Sequence, residues 1–268
     1  MSELKSFIEK IAKEAGKLSL DLLGKAKVSA KGPKDVVTEA DFAVEKLIIG
    51  KIKERFPDHN IVAEESINNF DKTKPTWYID PIDGTANYCK SDPNFAISIG
   101  FIDNTERAGC VYVPMHDELY YAETGKGAFL NGKKIDVSNT NNFSDALIQV
   151  GISPLKEKID DSLAIFKYFT LKCFRARDLG FSAGQLSYVG CGRADAFVKF
   201  GQNPWDIAAG MVLIQEAGGK VTDIDGNDLA LGESTKKHNI VASNGKFHDE
   251  LLKLIKRDLL QFDRGKWW

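Results

Sequence analysis

Trp77-Tyr78-Ile79-Asp80-Pro81-Ile82-Asp83-Gly84-Thr85-Ala86-Asn87 is the stretch from which the fold and chemistry of this chain are best inferred. Aromatic and β-branched residues precede Asp80, so residues 76–79 are predicted to form a buried strand whose end presents that carboxylate. Pro81 lacks the N–H of a ladder hydrogen bond, and we expect the strand to stop there. Two carboxylates three residues apart at a strand end are typical of a metal site.

The residues after this strand favour an anion-binding turn. Asp83 is a turn former, Gly84 is free to adopt a positive φ, and the Thr85 hydroxyl is able to cap a following helix. Free amides at the start of a helix attract anions. Paired carboxylates that hold a hard cation beside such amides are what phosphate chemistry requires.

Two further acidic sites also lie at a predicted strand end or helix start. Glu64-Glu65 comes directly after an apolar run at 61–63, and Asp206 follows Asn203 and Pro204, a predicted N-cap and first-turn proline. The helix macrodipole favours an acid in any first turn, so Asp206 alone is explained equally well by helix stability. Three acidic sites at predicted strand ends and helix starts together favour a shared Mg²⁺ cluster.

These segments resemble the signature segments of the inositol monophosphatase family, which are magnesium-dependent, lithium-sensitive sugar-phosphate phosphatases. The similar segments are Ala63-Glu64-Glu65, Asp80 to Thr85, Trp205 to Gly210, Asp35 to Asp41, Gly192 to Ala196 and Glu216 to Gly219. The similarity is colinear over nearly the whole chain. It implies the family fold, an α+β or α/β layered αβαβα sandwich of the inositol monophosphatase and fructose-1,6-bisphosphatase type.

The resemblance also implies a set of metal ligands for two to three Mg²⁺ ions. They are Glu64, Asp80 and the Ile82 carbonyl for the first ion, and Asp80, Asp83 and Asp206 for the second, with Asp80 as the bridge. Glu65 matches the second acid of the family's pair. Glu64 is also expected to reach a third, mostly water-coordinated ion.

Further residues receive catalytic and substrate-binding roles from the same resemblance. Thr85 and Asp41, together with the ligand Glu64, are implied in activating the attacking water. The Gly84 and Thr85 amides are expected to hold phosphate oxygens beside Asp83 and Asp206. Gly180, Phe181 and Ser182 open a predicted helix whose amides and hydroxyl are expected to contact substrate hydroxyls. Asp41 has an equally good structural explanation, because Thr38-x-x-Asp41 approximates a capping box.

The implied mechanism rests on ordinary electrostatics. Bound Mg²⁺ lowers the pKa of water towards neutrality, and a second ion roughly 3.5–4 Å away stabilises the leaving oxygen of an in-line displacement. The phosphoryl group is then transferred without a covalent enzyme intermediate.

Composition agrees with an enzyme of this kind. With 268 residues and 43% hydrophobic content, the chain can bury a sizeable core. A net charge of -2 argues against nucleic acid as a partner. No apolar run approaches twenty residues and residues 1–10 do not read as a signal peptide, so we expect no membrane partner and a cytoplasmic location. The four cysteines lack zinc spacing and are expected to be reduced.

Periodicity divides the chain into two closely joined halves. Residues 1–142 are predicted to form an α+β half that carries most metal ligands, and residues 143–268 an α/β half that completes the active site. Predicted helices cover 3–23, 38–56, 155–170, 182–191, 204–217 and 246–260. Predicted strands include 95–102, 108–113, 118–122, 146–150 and 240–242.

Two readings from other functional classes remain open. Residues 180–184 match the G-x-S-x-G elbow of serine hydrolases, with Ser182 as the nucleophile. Asp206 and then His238 or His248 follow it, which is the Ser-Asp-His chain order of the catalytic triad in those hydrolases. This serine esterase reading leaves the acids at 64, 65, 80 and 83 without a role. A regulatory protein that keeps the fold without turnover is disfavoured, because all metal-binding acids are present.

The departures from the family pattern bear on the substrate. Lys199 stands where inositol-specific members carry a glutamate, and an ammonium group cannot accept hydrogen bonds from sugar hydroxyls. It suits a second phosphate, although a solvated surface lysine is the alternative. Phe181 replaces a small residue and is expected to narrow or reshape the same pocket. Inositol monophosphate is the default substrate, fructose 1,6-bisphosphate the close competitor and 3′-phosphoadenosine 5′-phosphate a more distant one. Relatives imply a homodimer.

Overall fold

The computed structural model describes residues 2–32, 35–66, 70–153, 156–231 and 237–261. From the sequence, the terminal pair Trp267-Trp268 is interpreted either as covering an oligomer contact or as an exposed tail, and it lies outside the described residues. Within these ranges the α-helices are α1 Glu3–Leu22, α2 Glu39–Arg55, α3 Thr85–Tyr88, α4 Lys156–Lys172, α5 Ser182–Gly190, α6 Pro204–Glu216 and α7 His248–Gln261. The helices predicted from periodicity are confirmed, with ends that differ by one or two residues.

The strands are β1 Val28–Gly32, β2 Asp35–Thr38, β3 Asn60–Ala63, β4 Thr76–Asp83, β5 Ala96–Ile102, β6 Arg107–Val113, β7 Glu118–Glu123, β8 Gly127–Leu130, β9 Lys133–Ile135, β10 Leu147–Gly151, β11 Arg175–Arg177, β12 Ala196–Gln202, β13 Lys220–Asp223 and β14 His238–Ser243. The five strands predicted after residue 94 are confirmed. Short edge strands such as β9 and β11 were not predicted, because three residues carry too little alternation to be recognised.

The described strands form three sheets. Strands β3 to β9 lie in sequence order in a seven-stranded sheet, in which β3 and β4 are parallel and the following pairs are antiparallel. A five-stranded sheet has the order β11-β10-β12-β14-β13, with β10 parallel to both of its neighbours. Strands β1 and β2 form a separate antiparallel hairpin.

Three buried cores show that helices and sheets alternate in layers. Ile8 of α1 and Ile48 of α2 pack with Trp77 on the outer face of the large sheet. Helices α5 and α6 lie between the sheets, where Leu213 packs in one core with side chains of both sheets. Helices α4 and α7 cover the outer face of the small sheet, with Phe169 in that core. The predicted αβαβα sandwich is confirmed.

Local caps begin the first two helices, and the one predicted from the sequence, at Thr38, is confirmed. The Ser2 hydroxyl accepts a hydrogen bond from the Lys5 amide at the start of α1. Thr38 and Asp41 form the capping box of α2, with the Thr38 amide donating to Asp41 Oδ2 at 2.8 Å. This box fixes the position of Asp41 before any role in catalysis is considered.

The prediction that the central strand stops at Pro81 was wrong. Strand β4 continues to Asp83, and its register with β5 shifts between Asp80 and Asp83. A register shift leaves a residue outside the regular ladder, so the missing N–H of Pro81 costs no hydrogen bond there. Asp80 and Asp83 consequently lie on the same strand, both buried.

Close packing on two glycines fixes the inner helix α6 against the large sheet. A Cβ at Gly109 of β6 would lie 2.3 Å from the Ala209 carbonyl oxygen, and one at Gly100 of β5 would lie 2.7 Å from the Ala208 Cβ. Only glycine permits the helix to approach the strands so closely. This contact sets the position of Asp206, three residues before Ala209 on the same helix.

The large sheet lies wholly before residue 136, and the small sheet wholly after residue 146. The shared inner core joins both sheets, so the boundary near residue 142 stays a prediction. No helix among the described residues has both the length and the apolar character needed to cross a membrane.

Candidate metal centre

The acids predicted to form one cluster converge around Asp80. Glu64 follows β3, Asp80 and Asp83 lie on β4, and Asp206 lies in the first turn of α6. Burial raises the pKa of Asp80 well above its usual range, and the charges of Glu64, Asp83 and Asp206 raise it further. The three parts of the chain that carry these acids meet, because Ala63 of β3 pairs in register with Ile79 of β4 and helix α6 packs against both strands.

The other members of the cluster are perturbed in the same direction. Burial raises the pKa of Glu64 to about 8, an effect that the nearby Lys31 opposes. Burial also raises the pKa of Asp83 to about 7, and the charge of Asp206 adds to it. The pKa of Asp206 is likewise raised by burial and opposed by Lys199. Raised pKa values show that these buried acids are costly to ionise together. A cation bound among them would stabilise their ionised forms.

Asp83 also performs a structural task that the sequence did not predict. Its carboxylate accepts hydrogen bonds from the Ser182, Ala183 and Gly184 amides at 2.8, 2.7 and 3.2 Å. Helix α5 has no side-chain cap of its own at Phe181, so an acid one hundred residues earlier in the chain caps it. The Ser182 amide, one of those expected to contact substrate hydroxyls, is therefore already bonded to Asp83, and the substrate contacts of residues 180–182 stay predictions.

Lys31 of the β1–β2 hairpin lies over the acid pair. Its ammonium group donates to Glu65 Oε1 at 2.6 Å and to Glu64 Oε1 at 3.3 Å. Burial tends to lower the pKa of Lys31, but the charges of Glu64 and Glu65 outweigh it and raise the pKa. An ammonium group shared by two carboxylates shows that this pair accepts a cation.

Glu45 of α2 fixes the backbone that follows the acid pair Glu64-Glu65. Its carboxylate accepts a 2.8 Å hydrogen bond from the Glu65 amide and a 2.6 Å hydrogen bond from the Ser66 hydroxyl. Glu45 is only 4% exposed. The sequence offered one signal for this role, a glutamate on the otherwise apolar face that Val44 and Ile48 share, but it did not indicate the partner.

The capping role predicted for Asp41 is confirmed, and a contact with Thr85 leaves its catalytic role a prediction. Oδ2 accepts the capping hydrogen bonds from the Thr38 amide and hydroxyl, whereas Oδ1 lies 3.2 Å from the Thr85 hydroxyl. The same hydroxyl lies 3.0 Å from the Ile82 carbonyl oxygen. Burial raises the pKa of Asp41, and these hydrogen bonds oppose the shift. Thr85 is thus held between the capping acid and the predicted carbonyl ligand.

Gly84 makes the turn that brings Thr85 to this position. Its φ is +87°, in the left-handed region that favours glycine. A Cβ there would lie 2.9 Å from both the Asn94 carbonyl oxygen and the Phe181 Cβ. The positive φ predicted for Gly84 is confirmed.

The donor set fits a hard divalent cation. It consists of buried carboxylates and one carbonyl oxygen, the ligand type that Mg²⁺ prefers. Among the described residues, no three His, Cys, Asp or Glu side chains are already arranged to hold a metal ion. Each carboxylate is instead bound to a protein donor. Asp80 accepts from the Ile82 amide, Asp206 from the Asn203 amide, and Glu64 from Lys31. The individual ligand assignments, including Glu65, therefore stay predictions.

The residues predicted to contact substrate occupy different environments. The Phe181 side chain is fully buried between α3 and α5 and packs edge-to-face on Tyr188. Its predicted effect on the substrate pocket, whether narrowing or reshaping, stays a prediction. The Ser182 hydroxyl accepts a 2.8 Å hydrogen bond from Lys199. Lys199 is therefore not a freely solvated surface lysine.

The serine hydrolase hypothesis requires a histidine beside Ser182, and His248 does not serve as that base. That imidazole lies between the Thr222 hydroxyl at 2.9 Å and the Ser243 hydroxyl at 2.8 Å. Ser182 contacts Lys199, and Asp206 accepts from Asn203. Ser182 begins α5, and the contacts of Ser182, Asp206 and His248 give no support to a triad through His248.

Comparisons with known proteins agree with this geometry. Residues 1–259 match the model of the inositol monophosphatase family. The chain is 40% identical over 225 residues to a fructose-1,6-bisphosphatase/inositol-1-monophosphatase of Thermotoga maritima, covering 84% of each chain. It is also similar to the solved structure of a Thermotoga maritima IMPase, with a TM-score of 0.87, 37% identity and 97% and 99% coverage. A structure of an IMPase/NADP phosphatase complexed with Mg²⁺ and phosphate gives a TM-score of 0.82 at 25% identity, with 94% of each chain covered.

Proposed function

The chain belongs to the inositol monophosphatase family and is a phosphoric monoester hydrolase, and from that premise we propose that it hydrolyses small sugar or polyol phosphates with Mg²⁺ as cofactor. The observation that carries this proposal is the convergence of Glu64, Asp83 and Asp206 on the buried Asp80. A relative complexed with Mg²⁺ and phosphate supports the choice of cation.

We propose which ligands bind each Mg²⁺ ion from the oxygen donors in the cluster. Glu64, Asp80 and the Ile82 carbonyl would hold one ion, and Asp80, Asp83 and Asp206 would hold a second. A third ion is proposed at Glu64, beside Glu65. When bound, Mg²⁺ supplies a water of lowered pKa and charge stabilisation for the leaving oxygen.

Thr85 and Asp41 are proposed to orient the attacking water. The Thr85 hydroxyl has one proton and two acceptors within reach, Asp41 Oδ1 at 3.2 Å and the Ile82 carbonyl oxygen at 3.0 Å, and either bond leaves its lone pairs free to accept from a water molecule. This arrangement fixes the direction of the water and does not require a strong base. The Gly84 and Thr85 amides are proposed to bind the phosphate oxygens.

The substrate is proposed to be inositol monophosphate or fructose 1,6-bisphosphate. Both activities appear in the name of the Thermotoga maritima relative. 3′-Phosphoadenosine 5′-phosphate remains the more distant alternative. By analogy with the family, we also propose a cytoplasmic homodimer inhibited by lithium.

Phosphate release measured against Mg²⁺ concentration tests this function. We expect wild-type turnover of at least one of these phosphates to disappear with EDTA and in Asp80→Asn, with thermal melting confirming that the variant is folded. Asp58→Asn is the matched control, because it removes a carboxylate from an exposed loop outside the cluster. Turnover that survives EDTA and the Asp80→Asn change but disappears in Ser182→Ala contradicts the metal mechanism.

A further inference from the structure

The side chain of Asn87 joins three segments of the chain beside the Gly84 turn. Asn87 lies in α3, two residues after Thr85. Its amide nitrogen donates to the Asn94 carbonyl oxygen at 2.7 Å and to the Leu179 carbonyl oxygen at 2.9 Å. A side-chain amide nitrogen carries two protons, so both donors are used. Because Asn94 precedes β5 and Leu179 precedes α5, one side chain connects both of these segments to α3.

The three segments are closely packed around this amide. A Cβ at Gly84 would lie 2.9 Å from the Asn94 carbonyl oxygen, the same atom that Asn87 binds, and 3.3 Å from the Gly180 carbonyl oxygen. A Cβ at Gly180 would lie 3.2 Å from the Asn87 amide nitrogen. The turn at Gly84 and the turn at Gly180 therefore lie against each other, with the Asn87 amide beside their contact.

Asp83 makes a second connection between the same segments. It binds the first amides of α5, whereas Asn87 binds the Leu179 carbonyl, so the chain is held on both sides of residues 180 and 181. Asp83 is also a proposed metal ligand, and replacing it would change metal binding as well as position. Asn87 belongs to no proposed ligand set and uses its two protons on main-chain carbonyls. It is therefore the residue at which position alone can be tested.

The main chain of Asn87 is fixed as well as its side chain. Its carbonyl oxygen accepts hydrogen bonds from the Lys90 and Asp92 amides at 2.9 and 3.0 Å. Helix α3 is only four residues long, and Thr85 is its first residue. With both ends of Asn87 bonded, the helix has little freedom to turn, and the Thr85 hydroxyl keeps its direction towards Asp41.

We propose that Asn87 is a positioning residue of the phosphatase reaction, which aligns Thr85 by tying α3 to the segments before β5 and α5. This inference rests on the proposed function, in which Thr85 orients the attacking water. Asn87 acts through Thr85 and not by contact with the reacting atoms. A displacement of about 1 Å at such a position costs roughly 10²-fold in rate.

The experiment measures kcat and KM for inositol 1-phosphate and fructose 1,6-bisphosphate at saturating Mg²⁺ in the wild type, Asn87→Ala and Asn87→Ser. Urea unfolding checks that each variant is folded. We expect kcat to fall at least about tenfold in Asn87→Ala and KM to change less than about threefold, because the proposed metal ligands are intact. Asn87→Ser keeps one hydroxyl donor and should lose less, and it carries the same test if the alanine variant does not fold.

Asn60→Ala is the matched control for loss of a clamping amide. The Asn60 amide nitrogen also donates to two main-chain carbonyl oxygens, those of Asp71 at 2.6 Å and Lys74 at 3.2 Å. Asn60 begins β3, at the opposite end of that strand from Glu64. The change removes the same kind of connection away from the site, so kcat should stay within about twofold of the wild type even if the unfolding free energy falls.

A double-mutant cycle distinguishes positioning from a general loosening of the fold. If Asn87 acts through Thr85, Asn87→Ala should lower kcat less than about twofold in a protein that already carries Thr85→Val. Losses that multiply in the double variant overturn the inference. So does an equal loss of kcat in Asn87→Ala and Asn60→Ala, or a folded Asn87→Ala protein with the kcat of the wild type. Failure of the proposed function looks different, because the wild type then releases phosphate from neither substrate.

Discussion

Replacing Gly109 with alanine tests whether close packing of α6 positions the acid cluster. The new Cβ would lie 2.3 Å from the Ala209 carbonyl oxygen and 3.0 Å from the Ala209 Cα, both backbone atoms. An ordinary contact needs at least 3.4 Å, so helix and strand must separate by about 1 Å. Overpacking of this kind costs about 1–3 kcal/mol of unfolding free energy.

The same displacement has a catalytic consequence. Asp206 lies on α6, three residues before Ala209, and moves with the helix. Because a misplacement of about 1 Å costs roughly 10²-fold in rate, we expect Gly109→Ala to lower kcat/KM by about that factor without changing any acid. Urea denaturation measures the stability, and phosphate release in saturating Mg²⁺ measures the activity.

Gly50→Ala is the control for this experiment. Gly50 is exposed within α2, and a Cβ there meets nothing within 4 Å. Alanine in a helix interior is favoured over glycine by about 0.5–1 kcal/mol, so this variant is expected to gain stability and keep its activity. A Gly109→Ala protein that is as stable and as active as the wild type refutes the argument that Gly109 fixes the position of α6.

Three further outcomes are expected. Thr85→Val removes the hydroxyl that contacts Asp41 and should lower kcat about 10²-fold with little change in KM, whereas Thr85→Ser should restore most of the rate. Glu45→Gln weakens the support of the Glu65 amide and should raise the Mg²⁺ concentration for half-maximal activity several-fold, with kcat at saturating Mg²⁺ nearly unchanged. Burial lowers the pKa of His248 to about 4, so protonation of this imidazole favours the unfolded chain. The unfolding free energy should therefore be highest above about pH 6.5 and should fall as the pH is lowered towards 4. The shift gives at most about 3 kcal/mol, which screening reduces to about 1–2 kcal/mol, and His248→Asn should show a shallower acid loss in urea titrations.

Much of the fold could be predicted because its signals are local. The apolar periodicity of residues 3–22 and the Thr38-Asp41 capping box are determined by neighbours within one or two turns, and both elements form as predicted. The strand end at Pro81 was predicted wrongly because a proline is tolerated at a register shift, and the shift depends on pairing with β5. Such a shift leaves no signal in the strand itself.

In the candidate site, too, local features could be predicted from the sequence and contacts between distant segments could not. Its acids could be proposed as one cluster because three acidic sites at strand ends and helix starts together favour a shared cation, and the resemblance to the family assigned them to one cluster. The capping of α5 by Asp83 was missed, because its donors are one hundred residues away. Lys31 and Glu45 were missed for the same reason, since their partners come from other segments.

The amino-acid sequence by itself determined which residues carry charge, which elements form and which family the chain resembles, since these depend on composition, spacing and local hydrogen bonding. Only the tertiary structure decided that Gly109 admits α6 to the sheet, that Phe181 is buried, and that Lys199 reaches Ser182. The physical reason is that burial and electrostatic coupling depend on distance in space. Segments far apart in the chain acquire these properties only when the layers pack together.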